Sequence, residues 1–365
     1  MKEAEVLIIG GGVLGCANAY YLAKRGVSVI LVERGLLCSE STGATTAGIT
    51  LQNKPMERIP FYREAADRWI SLEEELGFEV GYDRCGSIML ADTAEQVSEL
   101  RQRVPAFRKV GLEVELLTAS ETQELAAWVT DGLAGSLYCP VDGYAEPKLA
   151  PQAFAQAVRQ QGAELLTELK VSQLRLDSQP RFRVTTTQGE IGADKVVNAA
   201  GAWAGFISNM LDVSLPVSFE SLQALVTRPG PQWLDKVVLH ANNNLTVKQI
   251  GDGRVLIGGG WLAGGDVKDD SKSPDPENQS ACLEVAYGAV PRLAELEVVE
   301  TWVGLEGRTS DRSPFFGEMQ SLPGFYLLAC APGGFTLSPL MGEQLAELIV
   351  EGTTSFPMVD FTRAQ

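Results

Sequence analysis

Gly10, Gly12 and Gly15 stand in the pattern G-x-G-x-x-G, and an acid, Glu33, follows at the end of the next apolar run. These residue types at this spacing can hold a dinucleotide. Gly10 permits a tight turn, Gly12 lets the backbone approach a pyrophosphate, and Gly15 lets a helix lie close on a strand. The free N–H groups and positive end of that helix then face the phosphates. The Glu33 carboxylate can accept hydrogen bonds from both hydroxyls of a ribose. An acid there repels a 2′-phosphate, so an adenosine without one is favoured.

The elements needed to position these groups are legible on either side. Val6 to Ile9 is a short apolar run that suits a buried strand, and Cys16 to Arg25 sets Ala17, Tyr20, Tyr21 and Ala23 at helical spacing. Val27 to Val32 is a second apolar run and carries Glu33 at its tip. Strand, glycine turn, helix, strand and acid make a βαβ nucleotide-binding unit.

Composition excludes several other chemistries. The chain has 365 residues, enough for two or three domains, with 45% hydrophobic and 21% charged residues as in an ordinary globular protein. Its net charge of −17 argues against a nucleic-acid partner and against an anionic membrane surface, and leaves solubility or docking to a basic partner. Six cysteines without a C-x-x-C and a single histidine, His240, make a metal site or a histidine-dependent hydrolase a poor reading. No apolar stretch reaches membrane-spanning length, so no integral membrane segment is expected. The first strand starts almost at Met1, which leaves no room for a leader peptide and makes the cytoplasm the expected compartment.

Further along, Ser39 to Thr50 is short of bulk and suits backbone wrapped closely round a ligand, or a surface loop. Residues 58–76 place Phe61, Ala65, Trp69 and Leu72 on one helical face. Strands are expected over 82–91, 163–169, 171–176, 182–187, 195–200, 222–227, 237–239, 245–249, 255–257, 298–305 and 325–331. Helices are expected over 94–110, 149–161, 281–289 and 338–351, with a start at Ser120, its cap, and Gln123 three residues on. Residues 264–280 read as an exposed loop. A glycine-rich strand-to-helix turn near the C-terminus echoes the opening unit, so the nucleotide domain is expected to be discontinuous. The fold class is then α/β and α+β: a split Rossmann-like domain over 1–78, 146–212 and 300–365, and a mixed-β-sheet substrate domain over 79–145 and 213–299.

These landmarks, taken in order, resemble the FAD-dependent amino-acid oxidase family, which includes glycine oxidase, sarcosine oxidase and the flavin subunits of opine and D-hydroxyproline dehydrogenases. The resemblance covers nearly the whole chain. It rests on GGGVLG with Glu33, TTAGI at 45–49, VVNAAGAWA at 196–204, GLEGRTSDRSPFFG at 304–317 and GGFTLSPLMG at 333–342. It implies FAD as cofactor, held without a covalent bond. Sarcosine oxidases carry a flavin-linking cysteine near a segment where this chain has Gly304, and Cys330 stands where many members have histidine.

By resemblance, Gly12, Val13 and Leu14 would meet the pyrophosphate, and Glu33 and Arg34 the adenosine ribose. Ser41, Thr42, Thr46, Ala47 and Gly48 would lie along the cofactor. Val171 would contact adenine, with Gly201 and Trp203 packed nearby, and Gly333, Gly334, Phe335 and Thr336 would approach the flavin. Glycine oxidases have an arginine, in Gly-Leu-Arg-Pro, that clamps the substrate carboxylate; here the matching residue is Glu306. Either the clamp has moved, to Arg308 for example, or the substrate carries a different charge pattern. Alternatively, Glu306 is an ion-pair partner of Arg308 or Arg312. Candidates around a small amine or amino-acid substrate are Glu306, Arg308, Thr336 and His240, with Tyr138 and Tyr144. The implied reaction is hydride transfer from the substrate Cα–H to flavin N5, giving an imine that water hydrolyses. The chain would serve as the flavin subunit of a larger dehydrogenase. A stand-alone glycine/sarcosine-type oxidase producing H2O2, a 2-hydroxy-acid dehydrogenase and a non-catalytic flavoprotein assembly subunit are the alternatives.

Overall fold

The computed structural model describes residues 2–178 and 181–358, so the last residues assigned to the nucleotide domain, 359–365, lie outside it. Two eight-stranded sheets organise the chain. In the first, strand Lys2–Ile9 lies between Gly189–Asn198 and Val29–Val32, parallel to both. Glu164–Leu166 continues the parallel edge beyond Val29–Val32, and Phe325–Ala329 extends the other side before an antiparallel partner, Phe315–Glu318. A central parallel strand is covered on both faces, which is why Val6 to Ile9 are all buried rather than alternating.

Helix Val13–Lys24 packs across this sheet and is buried almost all round, because the closing helix Gly334–Glu351 lies against it. Asn18 Nδ2 donates to the Gly342 carbonyl at 2.9 Å, fixing the two helices in register. The closing helix begins at Gly334, a turn earlier than the sequence expectation. Pro339 did not set its start, because the Phe335 carbonyl that Pro339 cannot serve is taken by the Ser338 hydroxyl.

The second sheet runs in the order Val298–Arg308, Ser218–Thr227, Val255–Leu262, Thr246–Gln249, Val237–His240, Ser87–Ala91, Gly135–Cys139 and Glu115–Thr118. It is antiparallel except where Val237–His240 pairs with Ser87–Ala91 in parallel. Strand Val298–Arg308 belongs wholly to this sheet, so the boundary drawn at residue 300 falls inside a strand. That strand also runs on past Leu305, carrying Glu306 and Arg308 in register with Glu220 and Ser218.

Two local expectations are corrected. The helix Ala119–Leu125 is capped by Thr118, not Ser120: Thr118 is extended, and Thr118 and Glu121 close a capping box on each other's backbone N–H groups. Residues 264–280 are not a loop. Gly264–Asp266 and Ser271–Ser273 form a hairpin, and Asp275 caps a helix starting at Pro276 by accepting from Glu277 N and Asn278 N. Polarity alone hid both, because these residues serve turns and caps rather than a core.

Candidate functional site

The glycine turn is dictated by contact as much as by backbone freedom. Gly10 has φ +114°, and a Cβ there would stand 2.4 Å from the Ala199 carbonyl oxygen. A Cβ on Gly15 would stand 2.0 Å from the Gly10 carbonyl oxygen. Strand, turn and helix therefore meet backbone to backbone, and the helix N-terminus opens into a cavity of about 420 Å³.

Its wall includes Glu33, Val171 and Trp203, the turn residues Gly10, Gly12, Val13 and Leu14, Ser41, Thr42 and Gly201, and Gly333, Gly334 and Phe335. Glu33 is nearly buried; one carboxylate oxygen accepts from Gly11 N at 2.7 Å and the other from Gly35 N at 2.8 Å. Its remaining lone pairs face the cavity and can take ribose hydroxyls. The Val13 N–H is engaged by the Thr42 hydroxyl at 3.2 Å. A cavity walled by a helix N-terminus and a nearly buried acid fits a dinucleotide.

Arg34 does not reach into open space. Its guanidinium lies 3.8 Å from the centre of the Trp203 ring and is paired with Glu40 at 3.0 Å and with Asp270. Trp203 Nε1 donates to the Val267 carbonyl at 2.8 Å, and Val267, Lys268 and Asp270 line the cavity. The hairpin read from sequence as a loop thus forms part of the cavity wall beside Arg34 and Trp203. Nothing in its composition announced this; the pairing of Asp270 with Arg34 and of Lys272 with Glu40, together with the Trp203–Val267 bond, brings it there.

Glu306 lines the cavity while Arg308 does not. Arg308 is held by Glu220 through Nε and Nη2, at 3.0 and 2.9 Å, and by Glu306 at 3.1 Å. It is not available as a displaced carboxylate clamp. Burial raises the Glu306 carboxyl above its ordinary range, against the opposing pull of Arg308. Cys330 also lines this end; its thiol meets the Gly201 carbonyl at 3.4 Å, and burial pushes it up to about 12, so it is an unreactive thiol.

Other sequence candidates sit outside the cavity wall. Thr336 is buried, with its hydroxyl donating to the Gly48 carbonyl at 3.1 Å and its own carbonyl taken by Trp69 Nε1 at 2.9 Å; it ties the closing helix to the 45–49 segment. His240 lies in the second sheet, bonded to Asp92 at 2.9 Å, and its other ring nitrogen accepts from Asn242 and Asn243 N. Both ring nitrogens are engaged, and His240 does not line the cavity. Tyr138 lies over Gly86, and Thr46 packs against Gly258. Ala47 and Gly48 stand behind Thr45, which does line the cavity.

Sequence reasoning passed over two buried charges, Asp142 and Lys248, and the half-buried Lys54. Asp142 accepts from Leu51 N at 2.8 Å and the Ser87 hydroxyl at 2.6 Å, and burial raises it to about 6. Burial lowers Lys54, which faces Asp142 and Glu306 and lies 5.3 Å from the Tyr62 ring. Lys248, on strand Thr246–Gln249, has no exposure at all. Lys54 lies in a polar stretch and Asp142 in a turn-rich one, so no local signal marked either. Among the described residues no cluster fit to hold a metal ion occurs, and no helix is long and apolar enough to cross a membrane.

A parallel sheet with a glycine turn, faced by a mixed sheet and enclosing a cavity, defines a dinucleotide-binding enzyme of α/β class. The chain belongs to the DAO family of FAD-dependent oxidoreductases, whose family model matches residues 5–348. It is 29% identical to glycine oxidase of Geobacillus kaustophilus, covering 98% of this chain and 96% of that one. A crystal structure of glycine oxidase from that organism superposes with a TM-score of 0.90 at 28% identity, over 99% and 98% of the two chains. Sarcosine oxidase subunit beta of Arthrobacter is 28% identical over 95% of this chain and 87% of its own. Human mitochondrial sarcosine dehydrogenase is 31% identical over 96% of this chain, which spans only 40% of that longer protein. The cofactor is FAD, and the cradle described above fits it.

Proposed function

We propose that this enzyme oxidises the C–N bond of an amino acid or N-substituted amino acid to an imine, with FAD taking the two electrons. FAD supplies the redox chemistry when bound; the chain supplies binding, orientation and electrostatics. What carries the reading is the cavity wall, which holds Glu306 together with Gly333, Gly334 and Phe335. No histidine stands there, which suits a substrate that binds as the neutral amine and needs no obligatory side-chain base. The relatives named for glycine and sarcosine support the same substrate class.

Within that reading, FAD is held non-covalently: Gly304 offers no side chain for a link, and the Cys330 thiol is buried against Gly201. Gly12, Val13, Leu14, Ser41 and Thr42 hold the pyrophosphate, and Glu33, Arg34, Val171 and Trp203 the adenosine. The chain works as the flavin subunit of a dehydrogenase, as the relative named subunit beta and the strongly acidic surface both suit. The opine and D-hydroxyproline enzymes are models for its substrate, and the cytoplasm its compartment.

The test is anaerobic. Amino acids, N-methyl amino acids, opines, D-hydroxyproline and 2-hydroxy acids are added one class at a time while absorbance near the flavin band is followed. Bleaching by an amine class supports the reading, and bleaching by hydroxy acids alone overturns it. Slow return of colour in air, with fast return on adding a copurifying subunit, supports the dehydrogenase role. Rapid return in air with release of H2O2 assigns a stand-alone oxidase instead.

A further inference from the structure

Four carboxylates line the cavity, and three of them are matched. Glu33 accepts from Gly11 N and Gly35 N, Glu40 is paired with Arg34 and Lys272, and Asp270 with Arg34. Glu306 is the exception. One of its oxygens meets Arg308 at 3.1 Å, and among the described residues the other has no hydrogen-bond or ion-pair partner. Arg308 does not supply it, because two of its nitrogens converge on a single oxygen of Glu220, at 3.0 and 2.9 Å. Two acids share one close arginine, and Glu306 has the smaller share.

The strand pairing makes this arrangement more costly. Glu306 stands directly opposite Glu220 where Val298–Arg308 pairs with Ser218–Thr227. Like charges opposed across a strand pair are destabilising. A glutamine at 306 would keep an acceptor for Arg308 without that repulsion, so pairing and packing give no reason for a charge. Alternation along the strand puts the Glu306 side chain on the face of Gly304. A Cβ on Gly304 would stand 3.1 Å from Ser41 Cα, and Ser41 belongs to the cavity wall. The charge of Glu306 also acts on Lys54 and Tyr62. Those two side chains flank the wall residue Gly333, whose Cβ would meet them at 3.6 and 3.2 Å. Bound FAD does not answer this charge, since its pyrophosphate is anionic and its ring gains negative charge on reduction.

We propose that Glu306 is the receptor for a second cation of the substrate: the amino acid or N-substituted amino acid oxidised here carries an ammonium or guanidinium besides its reacting amine. This rests on the amino-acid reading above and names the substrate class within it. Arg308 is a positioning residue, which holds one Glu306 oxygen and leaves the other to an N–H of the ligand. Burial raises the Glu306 carboxyl, and an arriving cation favours its ionised form.

The test titrates the FAD-loaded enzyme with methylguanidinium and with methylurea, its uncharged isostere, at constant ionic strength, following the flavin band. The wild type should prefer methylguanidinium, and Glu306→Gln should reduce that preference roughly tenfold, the scale of a hydrogen bond to a charged group. With substrates, a lysine-type compound is compared with its norleucine-type isostere, in whichever amino-acid or N-substituted form bleaches the wild type. The ratio of their kcat/KM values should fall by a similar factor in the variant, through KM. An unaltered preference overturns the proposal. So does a shifted flavin potential with both probe affinities intact, which would turn Glu306 toward the cofactor. Should the variant lose FAD, the wild-type titration decides alone, and equal affinity for the two probes overturns the proposal. Should no amine bleach the wild type, the amino-acid reading fails, whereas the probe titration still decides the role of Glu306.

Discussion

Arg34 lies flat on Trp203, its guanidinium 3.8 Å from the ring centre, while Asp270 and Glu40 hold its edges. Residues far apart in sequence thereby join the nucleotide sheet, the 201–203 turn and the separate 264–273 hairpin into one wall. Truncating either partner opens this wall. Arg34→Ala should weaken FAD retention by about tenfold, since a desolvated cation–π contact is worth about 1–2 kcal/mol. Dialysis followed by flavin fluorescence of the released fraction checks this, and Arg34→Lys should restore only part of the affinity because the flat stack is lost.

Gly15→Ala should be far more damaging than its size suggests. The added carbon would stand 2.0 Å from the Gly10 carbonyl oxygen, which is backbone and cannot swing away. Overpacking of this kind costs about 1–3 kcal/mol, and it moves the turn that receives the pyrophosphate. A lower melting temperature together with loss of bound FAD is the expected pair of results. A variant with wild-type FAD content would show that helix and strand can separate without harm.

Asp142 predicts a pH signature. Its folded value, about 6, lies above the ordinary 3.8, so between those limits the folded state binds more protons than the unfolded one. Stability contributed by the neutral form is present below 3.8 and is lost as pH rises through about 6. The full effect is on the order of 3 kcal/mol, from 1.36 kcal/mol per unit. Asp142→Asn should therefore flatten the fall in melting temperature between pH 4 and pH 7. An identical slope in both proteins would remove Asp142 as its source.

Glu306→Gln tests the cation-tolerant wall of the cavity. Arg308 keeps its two bonds to Glu220, so the variant should fold and load FAD normally. Substrates with a second cationic group should lose roughly tenfold in kcat/KM, the scale of a hydrogen bond to a charged group. Simple amino acids should be unchanged or improved, because a repelling carboxylate has gone. Steady-state kinetics on one substrate of each kind decides it, and indifference of both places Glu306 outside the substrate's reach.

Much of this molecule was legible in local pattern. The GGGVLG turn, the flanking apolar runs and Glu33 announced the nucleotide unit, because those constraints act between near neighbours and leave residue types no choice. The helical face of Phe61, Ala65, Trp69 and Leu72 was equally plain, and all four are buried. The strap at 264–273 was not, since a polar hairpin and a polar loop share one composition. His240 drew attention as the only histidine, yet Asp92 and two backbone N–H groups account for it.

The sequence alone determined the glycine turn, its helix and the order of the elements, because steric and periodic rules operate over a few residues. Only the tertiary structure decided which charges meet. Arg34 finds Asp270, Arg308 finds Glu220 as well as Glu306, and Lys248 reaches Gly48 without an acceptor of its own. Such pairings depend on how two sheets close on each other, and electrostatic energy depends on distance and burial, which no run of residues carries by itself.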